Sequence, residues 1–131
     1  MNADAHRRAI RESLEEIEEA IKRGVTDRQR TIGFHCSVAA ADMLELYLHE
    51  QNLIDPGTTI KHDFFSSLRA ANERIKPEFP NKNEILSLMH RLEVERNLLC
   101  YGKPRTQEDL ENFIETFNKL RMVLENMGLT L

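Results

Sequence analysis

The stretch from Asp27 to Gln51 constrains the fold more than any other part of the sequence. Its apolar residues recur every three or four positions, which is the period of a helix buried along a wide face. Small residues in the same stretch allow neighbouring helices to approach closely. A helix of this kind needs partners on several sides, so the pattern predicts the central helix of a bundle. The apolar stripe comprises Ile32, Cys36, Ala39, Ala40, Met43, Leu44, Tyr47 and Leu48, and the small residues are Gly33, Ala39, Ala40 and Ala41.

Four further segments also have helical spacing. The first helix is predicted over Asp4 to Arg23, the third over about His62 to Ile75, and the fourth over Glu84 to about Cys100. A fifth begins after Thr106 and carries apolar residues at helical intervals: Leu110, Phe113, Ile114, Phe117, Leu120 and Leu124. No strand pattern competes with these assignments. We therefore predict an all-α fold, an up-and-down bundle of four or five helices that forms one domain over residues 1–131.

Local signals predict where these helices begin and end. Gly24 and Gly128 are expected to stop the first and last helices, and Gly102 with Pro104 the fourth. We predict a turn at Asp55-Pro56-Gly57. At the helix starts, we expect Thr26 to form a capping box with Gln29, Asn81 or Asn83 to cap the fourth helix, and Thr106 to cap the fifth.

Composition narrows the classes of function. The chain of 131 residues is 40% hydrophobic and 31% charged, which is typical of a soluble helical protein large enough for one core. Its formal net charge of −4 argues against binding nucleic acid by bulk electrostatics, although a local basic patch remains compatible with it. No apolar run is long enough for a membrane span, and Cys36 and Cys100 form no CxxC pair, so we expect reduced thiols and a cytoplasmic protein.

The sequence contains no recognisable motif for a metal site or for a catalytic nucleophile. A ferritin-like site needs repeated Glu-x-x-His pairs, and none occurs; Glu45 with His49, and His62 with Asp63, are isolated pairs. There is no Gly-x-Ser-x-Gly elbow and no glycine-rich phosphate loop. The sequence accordingly predicts neither a metal site nor a cofactor.

Arg96 is a charged residue at a position of the predicted fourth helix where an apolar residue is expected. It follows Leu92 by four residues and precedes Leu99 by three, so its side chain leaves the helix on the apolar face. The guanidinium either pairs with a carboxylate such as Glu93 or Glu95, or is presented to a ligand. Because a planar fork of donors suits phosphate, the second alternative predicts nucleotide or phosphate binding.

The run RNLLCYG, from Arg96 to Gly102, resembles the signature of the HEPN family, in which Arg and a polar residue are followed by an apolar spacer ending in His. The helix order is also similar. The resemblance implies a five-helix bundle that forms a homodimer, and a groove in which Arg binds the scissile phosphate of RNA while His helps the 2′-hydroxyl attack. Arg96 and Asn97 match the first two positions, whereas Tyr101 stands where His is expected, as in a branch of small stand-alone HEPN proteins.

Tyrosine is a poor general base because its pKa begins near ~10, whereas that of histidine begins near ~6.5. Tyr101 therefore favours a binding role over nuclease activity, with His62 or His90 as histidines that reach the groove from elsewhere. Lys103 and Arg105, on the following loop, would add positive potential to a ligand site of Arg96, Asn97, Tyr101 and His62.

Three hypotheses remain open. The first is a HEPN-type module that binds nucleotide, RNA or a partner protein, paired with a small nucleotidyltransferase in a toxin–antitoxin-like system, with Tyr101 as the target of modification. The second is a metal-independent endoribonuclease in which Arg96 and Tyr101, or an imported histidine, are catalytic. The third is a helical bundle in which Arg96 is purely structural.

Overall fold

The structure of the protein, a computed structural model, describes residues 2–131 and is about 75% helical. It contains no strand within those residues, so the predicted all-α bundle is confirmed. Short 3-10 turns lie at Thr26–Arg28 and His62–Phe65. The five helices are α1 (Ala3–Arg23), α2 (Gln29–Glu50), α3 (Leu68–Arg74), α4 (Lys82–Tyr101) and α5 (Gln107–Asn126).

Helix α2 is the central element, as its wide apolar stripe predicts. It packs against α1, α4 and α5, and α4 also packs against α3 and α5. Buried side chains from all five helices form one hydrophobic cluster, in which Phe65, Phe113 and Phe117 are the largest members. Within residues 2–131, no helix combines the length and the apolar composition needed to cross a membrane.

Gly33 sets the spacing between α2 and α4. A Cβ atom at this position would lie 2.9 Å from Cβ of Leu99 and 3.2 Å from Sγ of Cys100. The two helices can approach this closely only because residue 33 has no side chain. This contact fixes the C-terminal end of α4, where Arg96 lies, against the first turns of α2.

Several predicted helix ends are confirmed. Gly24 ends α1 with φ of 115°, a left-handed conformation that suits glycine, and its N–H donates to the carbonyl of Ala20. The hydroxyl of Thr106 caps α5 by accepting from the N–H of Asp109 at 3.1 Å. The turn predicted at Asp55-Pro56-Gly57 is closed by the N–H of Thr58, which donates to the carbonyl of Asp55.

Two local predictions are wrong. The segment from His62 to Ile75 is not one helix, because Ser67 is extended and caps a separate α3 by accepting from the N–H of Ala70. The expected capping box between Thr26 and Gln29 does not form either. Thr26 lies in a 3-10 turn, and the side chain of Gln29 instead binds the loop that follows α4.

The start of α4 also differs from its prediction. The helix begins at Lys82, and Asn81 precedes it in the left-handed conformation with φ of 60°. The side chain of Asn81 makes no capping hydrogen bond.

Candidate functional site

Arg96 is buried without a counter-charge. Arg96 is only 9% exposed, as expected from its position on the apolar face of α4. Within residues 2–131, no carboxylate oxygen lies within 4.0 Å of its guanidinium. The alternative in which Arg96 pairs with Glu93 or Glu95 is therefore wrong.

Each of those carboxylates faces a different group. Glu93 is 4% exposed and binds His62, whose Nδ1 lies 2.6 Å from its Oε2. Glu95 lines a cavity together with Arg91 and Arg105; burial raises the pKa of Glu95, and the positive charges of these two arginines oppose that rise. Among residues 2–131, Arg96 therefore forms no ion pair within 4.0 Å.

Asn97 and Tyr101 lie beside the guanidinium. The Nη1 group of Arg96 donates to Oδ1 of Asn97 at 3.0 Å, and its Cζ lies 6.0 Å from the centre of the Tyr101 ring. Nε of Arg96 is buried and has no hydrogen-bond partner. Tyr101 is 76% exposed, so the group opens to solvent on this side. We call Arg96, Asn97 and Tyr101 the arginine cluster.

His62 contacts α4 through Glu93, one turn of helix before Arg96. It belongs to the 3-10 turn before α3, and its imidazole reaches α4 through Glu93, three residues before Arg96. Residues three apart on a helix share a face, with a rise of roughly 4.5 Å between them. The fold thus brings His62 near Arg96. His90 instead binds the backbone carbonyl of Phe65 through Nδ1 at 2.9 Å.

Lys103 and Arg105 lie on the loop that follows α4, and Gln29 holds this loop in place. The amide nitrogen of Gln29 donates to the carbonyls of Leu99 and Lys103, both at 3.1 Å, and its oxygen accepts from the N–H of Arg105 at 2.8 Å. Sequence reasoning missed this role of Gln29, because its partners lie at the far end of another helix.

The side chain of Arg105 does not join the arginine cluster. Its Nε donates to Asp109 at 3.2 Å, and it lines a cavity of about 350 Å³ that also includes Arg91 and Glu95. Lys103 is exposed. The predicted ligand set therefore divides into three parts: the arginine cluster, His62, which contacts α4 through Glu93, and two cations on the loop that follows α4.

Both cysteines are free, as predicted. Burial raises the pKa of the Cys36 thiol strongly, and it also raises that of the half-buried Cys100. Neither thiol is thus disposed to act as a thiolate nucleophile near neutral pH.

A second polar group lies further along α2. Glu45 and His49, which the sequence identifies only as an isolated pair, meet His6 of α1. One potential ligand atom from each of the three side chains lies within 4.8 Å of the other two. We call His6, Glu45 and His49 the histidine cluster. Sequence reasoning missed His6 because it belongs to another helix and stands alone in a charged segment.

Comparison with known proteins assigns no family. No protein-family model matches the chain, and no curated protein or solved structure is significantly similar to it. The geometry of the two clusters therefore provides the grounds for inferring a function.

Proposed function

We propose that this protein is a HEPN-type binding module that holds a phosphate group of a nucleotide or RNA at Arg96. The observation that carries the proposal is that Arg96 is buried and that no carboxylate of residues 2–131 lies within 4.0 Å of its guanidinium. A buried charge lacking a partner costs free energy, so a protein that retains one is expected to use it. An anionic ligand would supply the missing counter-charge.

The surroundings of Arg96 suit phosphate in particular. The guanidinium keeps a buried Nε donor with no partner inside the protein. Two or more N–H groups of a guanidinium can bind phosphate oxygens at once, and partial burial strengthens such bonds. Asn97 fixes the orientation of the guanidinium through Nη1, and the exposed ring of Tyr101 offers a face on which a base can stack.

A second copy of the chain is the first proposed partner. Val94 and Leu98 lie four residues apart on α4, and they are 45% and 43% exposed. This apolar stripe lies next to Asn97 on the helix surface, so a homodimer formed on it would bring two arginine clusters close together. Light scattering should show a dimer that Leu98→Glu dissociates. Met122→Glu, which places the same charge on an exposed apolar residue of α5, should leave the dimer intact.

A small nucleotidyltransferase is the second proposed partner, as in a toxin–antitoxin-like pair. The hydroxyl of Tyr101 would attack the α-phosphate of a nucleoside triphosphate held by that enzyme and release pyrophosphate. Exposure of Tyr101 supports this role, because the acceptor must enter another protein's active site. The added nucleotide would lie beside Arg96 and occupy the same phosphate site.

Binding of a single-stranded RNA oligonucleotide and of ATP, followed by fluorescence anisotropy, tests the phosphate site. We expect Arg96→Ala to weaken binding by about tenfold to a hundredfold, the value of a charge-assisted hydrogen-bonded contact. Arg91→Ala is the matched control, since it removes an exposed arginine from the same helix. Absence of binding by the wild type, or equal losses in the two variants, would overturn the proposal.

Endoribonuclease activity is the second candidate, and the pair of His62 with Glu93 favours it. A buried carboxylate that binds Nδ1 orients an imidazole and leaves Nε2 free to act as a base. In this reaction His62 takes the proton from a ribose 2′-hydroxyl, and the 2′-oxygen attacks the phosphorus held by Arg96. The bond from phosphorus to the 5′-oxygen breaks, and the 5′-oxygen takes a proton from water, giving a 2′,3′-cyclic phosphate and a 5′-hydroxyl end.

RNA cleavage in the presence of EDTA separates the two candidates. Cleavage with cyclic phosphate ends, lost in both Arg96→Ala and His62→Ala, would establish the nuclease. His90→Ala provides the control for loss of a histidine elsewhere on α4. Binding without cleavage would instead support the binding module, and Tyr101→Phe would show whether the hydroxyl takes part in either case.

A further inference from the structure

The histidine cluster is built from side chains of two helices at a buried position. His6 is 2% exposed and comes from the first turns of α1, while Glu45 is 4% exposed and lies on the C-terminal half of α2. His49 follows Glu45 by one turn on the same face of α2 and is half-buried. The packing of α1 against α2 thus places two imidazoles and one carboxylate together.

Within residues 2–131, the polar atoms of His6 have no hydrogen-bond partner. Its Nε2 lies 2.8 Å from Oε2 of Glu45, but the approach is outside hydrogen-bonding angles, and its Nδ1 is also unpartnered. Buried polar atoms are nearly always hydrogen-bonded, because leaving one without a partner costs free energy. A fully buried imidazole with two unpartnered nitrogens is therefore an exception that requires an explanation.

Glu45 is fixed so that one oxygen faces both histidines. Its Oε1 accepts a hydrogen bond from the N–H of Ile60 at 2.6 Å. Its Oε2 then lies 2.8 Å from Nε2 of His6 and 3.7 Å from Nε2 of His49. Ligand atoms bound to Zn²⁺ at ~2.1 Å in tetrahedral geometry are about 3.4 Å apart, which is between these two distances.

We propose that His6, Glu45 and His49 bind a divalent transition-metal ion of the zinc class. Two imidazole nitrogens and one carboxylate oxygen are donors that such ions prefer over Mg²⁺ or Ca²⁺. The ion would take the unpartnered lone pair of His6. At His49 it would replace the proton through which Nε2 bonds to the carbonyl of Thr58, now at 3.0 Å.

A cavity that is open to solvent adjoins the histidine cluster, since Glu50, Asn52 and Asp55 in its walls are exposed. His6 and His49 also line this cavity, which has a volume of about 460 Å³. Three protein ligands leave one position of a tetrahedral ion for water or a small anion, the arrangement of open zinc sites rather than of closed structural ones.

Isothermal titration of EDTA-stripped, buffer-exchanged protein with Zn²⁺ tests this site. The wild type should bind about one ion per chain, and His49→Ala should weaken binding by about a hundredfold or more, since even outer-shell partners contribute up to that factor. His90→Ala is a closely matched control, because His90 is also half-buried and also bonds to a backbone carbonyl. It should bind Zn²⁺ as the wild type does.

Co²⁺ absorption and thermal unfolding supply two further readouts. Co²⁺ should give visible bands in the wild type and in His90→Ala that are absent in His49→Ala, and Zn²⁺ should raise Tm in the same two proteins only. Circular dichroism of each metal-free variant verifies folding. The site would be excluded by affinities within a few-fold of each other in His49→Ala and wild type, or by a thiolate-to-cobalt charge-transfer band indicating Cys36 or Cys100 as a ligand.

Discussion

The arginine cluster and the histidine cluster differ in the groups that surround their buried charged side chain. Both lie against α2: the first near Gly33, the second around Glu45, roughly 18 Å further along the helix. Glu45 has two histidines and a backbone N–H around its carboxylate, whereas Arg96 has no acid within 4.0 Å. Glu45 is thus held by groups inside the protein, whereas under the proposed function Arg96 is retained at a cost in stability because it binds a ligand.

The largest expected effect of a substitution is at the histidine cluster. Glu45→Ala should lower the free energy of unfolding by about 3 kcal/mol, because it leaves the buried N–H of Ile60 without an acceptor and opens a cavity. Urea denaturation followed by circular dichroism measures this. Glu50→Ala, which breaks only the exposed pair with Arg7, should cost less than about 1 kcal/mol. Equal losses of unfolding free energy in Glu45→Ala and Glu50→Ala would show that the buried carboxylate contributes no more to stability than the exposed one.

The second largest effect on stability is expected near the N-terminal end of α2. Gly33→Ala should lower the free energy of unfolding by about 2 kcal/mol, because the new methyl group would overlap Leu99 and force α4 away from α2. It should also weaken RNA binding at the arginine cluster and leave Zn²⁺ affinity unchanged. Gly57→Ala is the control, since a methyl group there would contact nothing within 4 Å. A loss of Zn²⁺ affinity in Gly33→Ala would show that the clusters are coupled.

The smallest expected effect is a change of folding stability with pH, caused by the ionisation of Asp42. Burial, with a contribution from Glu45, raises the pKa of Asp42 to about 6. Lys61, His62 and Asp63 line the same cavity as Asp42. Because the folded state favours protonated Asp42, whereas the unfolded pKa is about 3.9, wild-type stability should fall as the pH rises between these values.

Asp42→Asn removes that titration. Its Tm should exceed that of the wild type at about pH 7.5, and the difference should vanish at about pH 3, below the unfolded pKa, where Asp42 is protonated in both states. Thermal unfolding across this range is the measurement. A constant difference at all pH values would show that Asp42 titrates normally.

Much of the fold follows from local sequence, because the period of apolar residues and the glycine or threonine at a helix end act within a few residues. The prediction of one helix from about His62 to Ile75 is wrong because it relied on this apolar period alone. Phe64, Leu68, Ala71 and Ile75 keep helical spacing across the break that Ser67 introduces. Periodicity alone does not reveal such a break, whereas the competing cap does.

The candidate sites were only partly predictable. Arg96, Asn97 and Tyr101 are neighbours along one helix, so sequence spacing places them together. Contacts between helices carry no such signal: Gln29 binds the loop beyond α4, and His62 binds Glu93. His6 likewise joins Glu45 only because α1 packs against α2. Long-range packing therefore determined the parts that sequence reasoning missed.

The most direct test of the account is Arg96→Met, with the free energy of unfolding and the RNA affinity measured on the same preparation. Methionine keeps an unbranched apolar stem in the core and removes the buried charge. We expect stability to be unchanged or higher, because no counter-charge is left behind, and RNA affinity to fall by about tenfold or more. A loss of more than about 2 kcal/mol in stability with unchanged RNA affinity would contradict the account and identify Arg96 as a structural residue.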